Sequence, residues 1–155
     1  MDWKDVSLEE AQQNKYYGLG GWLLVLYVFA VIAFLAAFLN LANVDEFKHL
    51  YGDAYGIMLV VSILQGLLLL PFIILAPKKS SLMPKATISA YWFSIALTAI
   101  SGITNNHYTM LPQLLVGVIF VALFSWYLRK SKRVNVTYLN RVAVEAKTAP
   151  ETPNE

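Results

Sequence analysis

The sequence predicts an all-α integral membrane four-helix bundle, with both termini in the cytoplasm and short amphipathic segments at the interface. Three observations lead there. Of 155 residues, 57% are hydrophobic and only 14% charged, whereas a soluble domain has about 25% charged and about 45–50% apolar residues. The apolar residues gather in four long runs that contain no charge. Finally, four crossings would put eleven of the 12 Lys and Arg on one side, as cytoplasmic loops require.

Residues 1–19 form a cytoplasmic N-terminal segment in which Ser7-Leu8-Glu9-Glu10 suits the capping box of a short surface helix. The first span covers 20–41, "GGWLLVLYVFAVIAFLAAFLNL". At about 1.5 Å per residue it reaches roughly 33 Å, enough for a hydrocarbon core of about 30 Å. That is longer than the core of a signal peptide, so it reads as a retained span. The outer loop, 42–53, places Val44, Phe47 and Tyr51 at helical spacing, which suits a short interfacial helix.

The second span covers 54–76. Pro71 inside it removes a hydrogen bond to the carbonyl of Leu67, which predicts a local bend. A basic cytoplasmic loop, 77–85, leads to the third span, 86–104, after Pro84. An outer tight turn, 105–109, then precedes the fourth span, 110–128, with Pro112 in its first turn, where proline is tolerated. Residues 129–155 are a basic juxtamembrane segment followed by a polar, Pro-containing tail expected to be disordered. Backbone groups in lipid must be satisfied within their own segment, so helices are the expected form, and the continuous apolar runs do not fit barrel strands.

Composition narrows the chemistry. Cysteine is absent, which removes disulfides, thiolate metal sites and a cysteine nucleophile. The net charge is only +2, so long-range steering is weak. The spans hold no Asp, Glu, His, Lys or Arg, the groups that pumps and proton-coupled carriers use at membrane depth. No Ser lies near a base. The sequence therefore predicts neither enzyme activity nor a bound cofactor.

The run "RKSKR", 129–133, has three readings. The N-terminal segment, the 77–85 loop and the C-terminal segment hold all Lys and Arg except Lys48. The run therefore acts first as an orientation anchor at the cytoplasmic face. Arg129, Lys130, Lys132 and Arg133 are also candidate contacts for anionic lipid headgroups, each worth about 1 kcal/mol. Nucleic acid would need a larger basic face with stacking aromatics in solvent, and the neighbouring Trp126 and Tyr127 are better used as interfacial belt residues. No nucleic-acid partner is expected.

Two stretches carry a resemblance. "GLGGWLLV" (18–25) opens the first span and "YLRKSKRVNVTYL" (127–139) closes the fourth. The pairing resembles a bacterial family described as domain of unknown function 2569, small four-span inner-membrane proteins. Gly20, Gly21, Trp22 and Leu23 match its Gly-Gly-Trp-Leu pattern. Ser131, Lys132, Arg133, Val134, Thr137 and Tyr138 match its Ser-Lys-Arg-Val-x-x-Thr-aromatic pattern, with Tyr where Phe is commoner. The resemblance implies a bacterial inner membrane and transfers no activity.

"GLGGW" lacks the spacing and the preceding strand of a dinucleotide loop. Gly18, Gly20 and Gly21 instead suit a sharp turn or close approach to another helix. Glu46 and His49 stand at the spacing of carboxylate-bridged metal motifs, but such sites need two copies and more carboxylates. The segment, with Asp45, Asp53 and a distant His107, reads as a solvated loop, and no metal is expected.

The third span is more patterned. Thr87, Tyr91, Ser94, Thr98, Ser101 and Asn105 recur at spacings of four, three, four, three and four, one face of a helix. That stripe should face the bundle interior, with Gln65, Gly66 and Gln113 as natural partners. It is either interhelical packing or a polar path. The leading functional expectation is a structural, scaffold or partner-binding membrane protein, whose partners are the bilayer and a membrane protein or further copies of itself. The alternatives are an oligomeric passive channel or small-solute carrier with its path along the third span, and anionic-lipid binding through the basic cluster.

Overall fold

The computed structural model describes residues 2–42, 45, 48, 49, 52, 55–104 and 111–144. The chain is mostly helical: α1 (Leu8–Gln13), α2 (Trp22–Ala42), α3 (Tyr55–Leu67), α4 (Leu70–Leu75), α5 (Met83–Thr104), α6 (Leu111–Lys130) and α7 (Lys132–Leu139). To the helices expected from the sequence it adds a two-stranded antiparallel sheet of β1 (Trp3–Asp5) and β2 (Arg141–Ala143). Trp3 faces Ala143, Lys4 faces Val142 and Asp5 faces Arg141. Three-residue strands carry no readable periodicity. They pair because the rest of the fold brings them together.

Among the described residues, three helical segments are long and apolar enough to cross a membrane, Trp22–Leu39, Tyr55–Leu75 and Leu111–Lys130. Their outer faces display large apolar side chains, among them Phe29, Leu39, Val116 and Leu123. So continuous an apolar surface is larger than soluble monomers usually expose and suits contact with lipid. The second segment is interrupted. Leu69 N–H bonds the Gly66 carbonyl at 3.1 Å, a tightened turn, and α4 restarts at Leu70 with Pro71 in its first turn. The bend expected from Pro71 is thus a break between two helices. Lacking an N–H, Pro71 is accommodated where a first-turn donor is unneeded.

α5 has 22 residues, and its one charged residue, Lys85, stands in the first turn. The packed pairs of long elements are α2 with α3 and α4, α3 and α4 with α5, and α5 with α6. α2 and α6 are not a packed pair.

One end of this array is capped by folded chain. Ser7 caps α1, its Oγ accepting Glu10 N–H at 3.2 Å. Residues 132–143, the basic juxtamembrane segment, fold into α7 and β2. Ser131 caps α7 through Val134 N–H, and Asn140 ends it in the left-handed conformation, φ 50°. Val134, Asn135, Val136, Thr137 and Tyr138 are all buried. Burying each large apolar side chain away from water is worth about 1.5–3 kcal/mol, which α7 gains only by folding onto the bundle.

The core lies at this end, around Leu23, Phe72, Ala76, Met83, Phe124, Leu128, Val134 and Tyr138. Phe72 meets Tyr27 and Phe124 edge-on, at 6.0 and 5.7 Å between ring centres, and Tyr91 stacks on Phe124 at 5.1 Å. Asp45, Lys48 and His49 are helical, while Val44, Phe47, Tyr51, Asn105, the 105–109 turn and the tail from 145 lie outside the described residues.

Candidate functional site

Two features stand out above ordinary packing, and they adjoin. The first is a junction in the cap between residues 16–21 and α7. Gly18 N–H donates to Thr137 Oγ1 at 2.9 Å, and the Thr137 hydroxyl lies 3.4 Å from the Tyr16 carbonyl. Arg133 Nη1 donates to the Gly18 carbonyl at 3.4 Å. A side chain on Gly20 would begin 3.1 Å from Arg133 Nη1, and one on Gly21 would begin 3.8 Å from Nε. Gly18 and Gly21 also adopt φ of 97° and 56°, which L side chains rarely take. The glycines therefore serve a turn, as their composition suggested, and what approaches them closely is the Arg133 guanidinium.

The junction is tied further down the bundle. Asn135 Nδ2 donates to the carbonyls of Arg129 and Ser131, both at 3.0 Å, closing the turn from α6 into α7. Tyr138 Oη donates to the Ala76 carbonyl at 3.1 Å, joining α7 to the end of α4. Burial, and then the nearby Tyr127, push the Tyr138 phenol well above its ordinary value. Lys79 Nζ sits 4.3 Å from the centre of the Tyr17 ring.

The second feature is a cleft of about 620 Å³ between α2 and α6. Trp22, Val25, Phe29 and Ala33 form one wall, and Gly117, Phe120, Val121 and Phe124 the other. Its floor is Gln65, Leu68 and Leu69 at the α3–α4 break, with Tyr91, Ser94 and Ile95 of α5. Three polar side chains, Gln65, Tyr91 and Ser94, interrupt an otherwise apolar lining. Such a volume and composition fall within the range of small-molecule sites.

The sequence-predicted residues separate into groups. Thr87 is fully buried with an unpartnered hydroxyl, and Tyr91 and Ser94 line the cleft. Thr98 Oγ1 accepts from Gln65 Nε2 at 2.7 Å and donates to the Ser94 carbonyl at 3.0 Å. Ser101, also buried, donates to Met58 Sδ at 3.9 Å. These five stripe residues are all at least half-buried, and Asn105 lies outside the described residues. Gln113 is exposed at the start of α6 rather than partnering the stripe.

Among the basic candidates, Arg129 and Lys130 are exposed, whereas Lys132 and Arg133 are half-buried. Arg133 turns onto its own chain. Among the described residues no cluster of His, Asp or Glu could hold a metal; Glu46, Asp53 and His107 are outside them.

Sequence reasoning missed the Arg133–glycine contact, Asn135 and the Tyr138 bond. The signal was available, since both stretches that carry the family resemblance are rich in turn and polar residues, and their common packing partner was each other.

A family model described as "Protein of unknown function (DUF2569)" matches residues 16–139. The match begins just before the glycine turn and ends with α7, so it encloses both the junction and the cleft. No curated protein and no solved structure matches the chain.

Proposed function

The chain belongs to the DUF2569 family of proteins of unknown function, and we propose that it is a non-catalytic binding protein of the bacterial inner membrane. On this reading it crosses the bilayer four times, keeps its cap in the cytoplasm, and uses the cleft between α2 and α6 as its binding site. The single observation that carries the reading is the gap itself. A four-helix array normally closes its first helix onto its last. Here aromatic and small side chains face each other across an open space.

Parity supports the four crossings. β1 and β2 pair, so the segments before α2 and after α6 leave the helices at the same end. Three crossings would separate them, and α5, 22 residues long, is the available fourth. Basic residues on the 77–85 loop, α6, α7 and the strands support a cytoplasmic cap. The cleft lining has no carboxylate, imidazole or amine, which supports binding without catalysis.

A photoreactive residue placed at Phe29 or Phe120, in intact membranes, tests the reading. A discrete adduct is expected from those positions and not from Ile32, which is exposed but does not line the cleft. Indistinguishable products from all three positions would reject the cleft as a binding site.

A further inference from the structure

We propose that the cleft holds one acyl chain of an anionic phospholipid drawn from the cap-side leaflet, with the lipid phosphate on Arg133. The inference rests on the reading of the cleft as a binding site and names its ligand. Depth is the first argument. On α2 the lining runs from Trp22, the first residue of the helix, to Ala33. At about 1.5 Å per residue that is roughly 17 Å, about half of a hydrocarbon core of about 30 Å. The opposite wall, Phe124 back to Gly117, starts at the cap-end core and stops six residues before the far end of α6. A transmembrane helix of a partner would need a groove along the whole thickness. A groove one leaflet deep fits a lipid chain.

Charge is the second argument. Trp22, 74% exposed, stands at the mouth of the cleft, where an interfacial tryptophan belongs. The residue before it, Gly21, is the one whose Cβ position lies 3.8 Å from Arg133 Nε. The guanidinium therefore sits one residue from the mouth, at headgroup level. A guanidinium has five N–H donors. Among the described residues Arg133 makes one hydrogen bond, from Nη1 to Gly18, and no ion pair. A half-buried cation with donors to spare, beside an apolar slot, matches a phosphate attached to an acyl chain, since guanidinium and phosphate pair in a fork.

The test uses the full chain, purified in mild detergent and titrated with phosphatidylglycerol or phosphatidylcholine of the same acyl chains, with bound lipid counted by native mass spectrometry. One lipid per chain is expected, phosphatidylglycerol being held about tenfold more tightly. Arg133→Gln should weaken retention of both lipids and abolish the preference for phosphatidylglycerol. Because Arg133 also supports the cap, Ala33→Phe provides an independent arm: it fills the slot from an exposed wall position far from the cap, and should abolish retention of both lipids. Equal retention of the two lipids by the unmodified chain, or a lipid stoichiometry unchanged by Ala33→Phe, overturns the proposal. If photo-crosslinks from Phe29 and Phe120 capture a protein or a second copy while no phospholipid is retained, the lipid assignment fails and the cleft reading stands. If those crosslinks do not differ from Ile32, both fall.

Discussion

The Arg133 guanidinium occupies the space that a Gly20 side chain would need, its Nη1 3.1 Å from that Cβ position. Two stretches at opposite ends of the matched region thereby become one structural unit. The glycine provides room and the arginine fills it, so a bulky side chain at position 20 would have to displace the guanidinium.

Substitution at Gly20 should therefore act through Arg133. Gly20→Ala needs the flexible guanidinium to shift by only a few tenths of an ångström, and a small effect is expected. Gly20→Val should cost about 1–3 kcal/mol, the usual range for overpacking. Most of that cost should vanish when Arg133→Ala is made as well, because the obstructing group is gone. Thermal unfolding in detergent, followed through the tryptophans, measures all four proteins of the cycle. A valine cost unchanged by Arg133→Ala would mean that the backbone turn, not the guanidinium, sets the requirement.

Thr137 offers a cleaner probe of the same junction. Its hydroxyl accepts Gly18 N–H at 2.9 Å and is otherwise shielded inside α7. Thr137→Val keeps the shape and strands a donor, which should cost about 1–3 kcal/mol. Thr137→Ser keeps the acceptor and should lose less. The expected readout beyond unfolding is faster proteolysis near residues 14–20 in the valine variant, since that segment is held by this bond.

How far the sequence led can be judged from three elements. The apolar runs were legible because lipid imposes a length and a charge rule on them that needs no knowledge of neighbours. The inward placement of Thr98 and Ser101 followed from helical spacing alone. α7 was not legible. "KRVNVTYL" carries two charges at its start and alternates like a strand, and only the caps at Ser131 and Asn140 and the pocket beneath it make a buried helix. The cleft was hidden for a different reason. It is a gap between two elements, and periodicity describes single elements one at a time.

Tyr138 should make stability fall in alkali. In the unfolded chain a phenol ionises near pH 10. In the fold, burial and then Tyr127 hold the Tyr138 proton to higher pH. The folded state thus binds more protons once pH passes about 10, so stability that is complete below that pH declines as pH rises. Tyr138→Phe should flatten this decline and, by removing the bond to the Ala76 carbonyl, cost about 1 kcal/mol at neutral pH. Unfolding midpoints of the two proteins from pH 8 to 11 would check both halves of the expectation.

The Gln65–Thr98 bond decides how the polar stripe should respond to mutation. At 2.7 Å it joins α3 to α5, and Thr98 also donates back to Ser94. If the bond serves packing, a cycle of Gln65→Leu and Thr98→Val should give a coupling of about 0.6 kcal/mol, the average for interhelical bonds in membranes. Solute flux in proteoliposomes should be the same for the unmodified chain, Ser94→Leu and Thr98→Leu. Flux lost in both variants would instead favour a carrier with its path along α5.

The pairing of β1 with β2 turns topology into a chemical experiment, helped by the absence of cysteine. Trp3 and Ala143 are directly opposed. The bonds Val6 N–H to Asn140 and Val144 N–H to Asp2 mark the pairs on either side as the hydrogen-bonded ones. Trp3–Ala143 is therefore a non-hydrogen-bonded pair, with Cα atoms about 4.5 Å apart, within reach of a disulfide. Trp3→Cys with Ala143→Cys should close an intramolecular loop on oxidation of the purified protein, seen as faster migration of the unreduced chain. Asp5→Cys with Ala143→Cys, two residues out of register, should close poorly. Single cysteines then orient the same unit in cells. Cysteine at position 4 or 79 should react with an impermeant reagent only after the membrane is opened, whereas Lys48→Cys should react in intact cells. If the loop closes but Lys79→Cys and Lys48→Cys label from the same side, the helices between them do not cross as a pair, and the parity that makes α5 a span is lost.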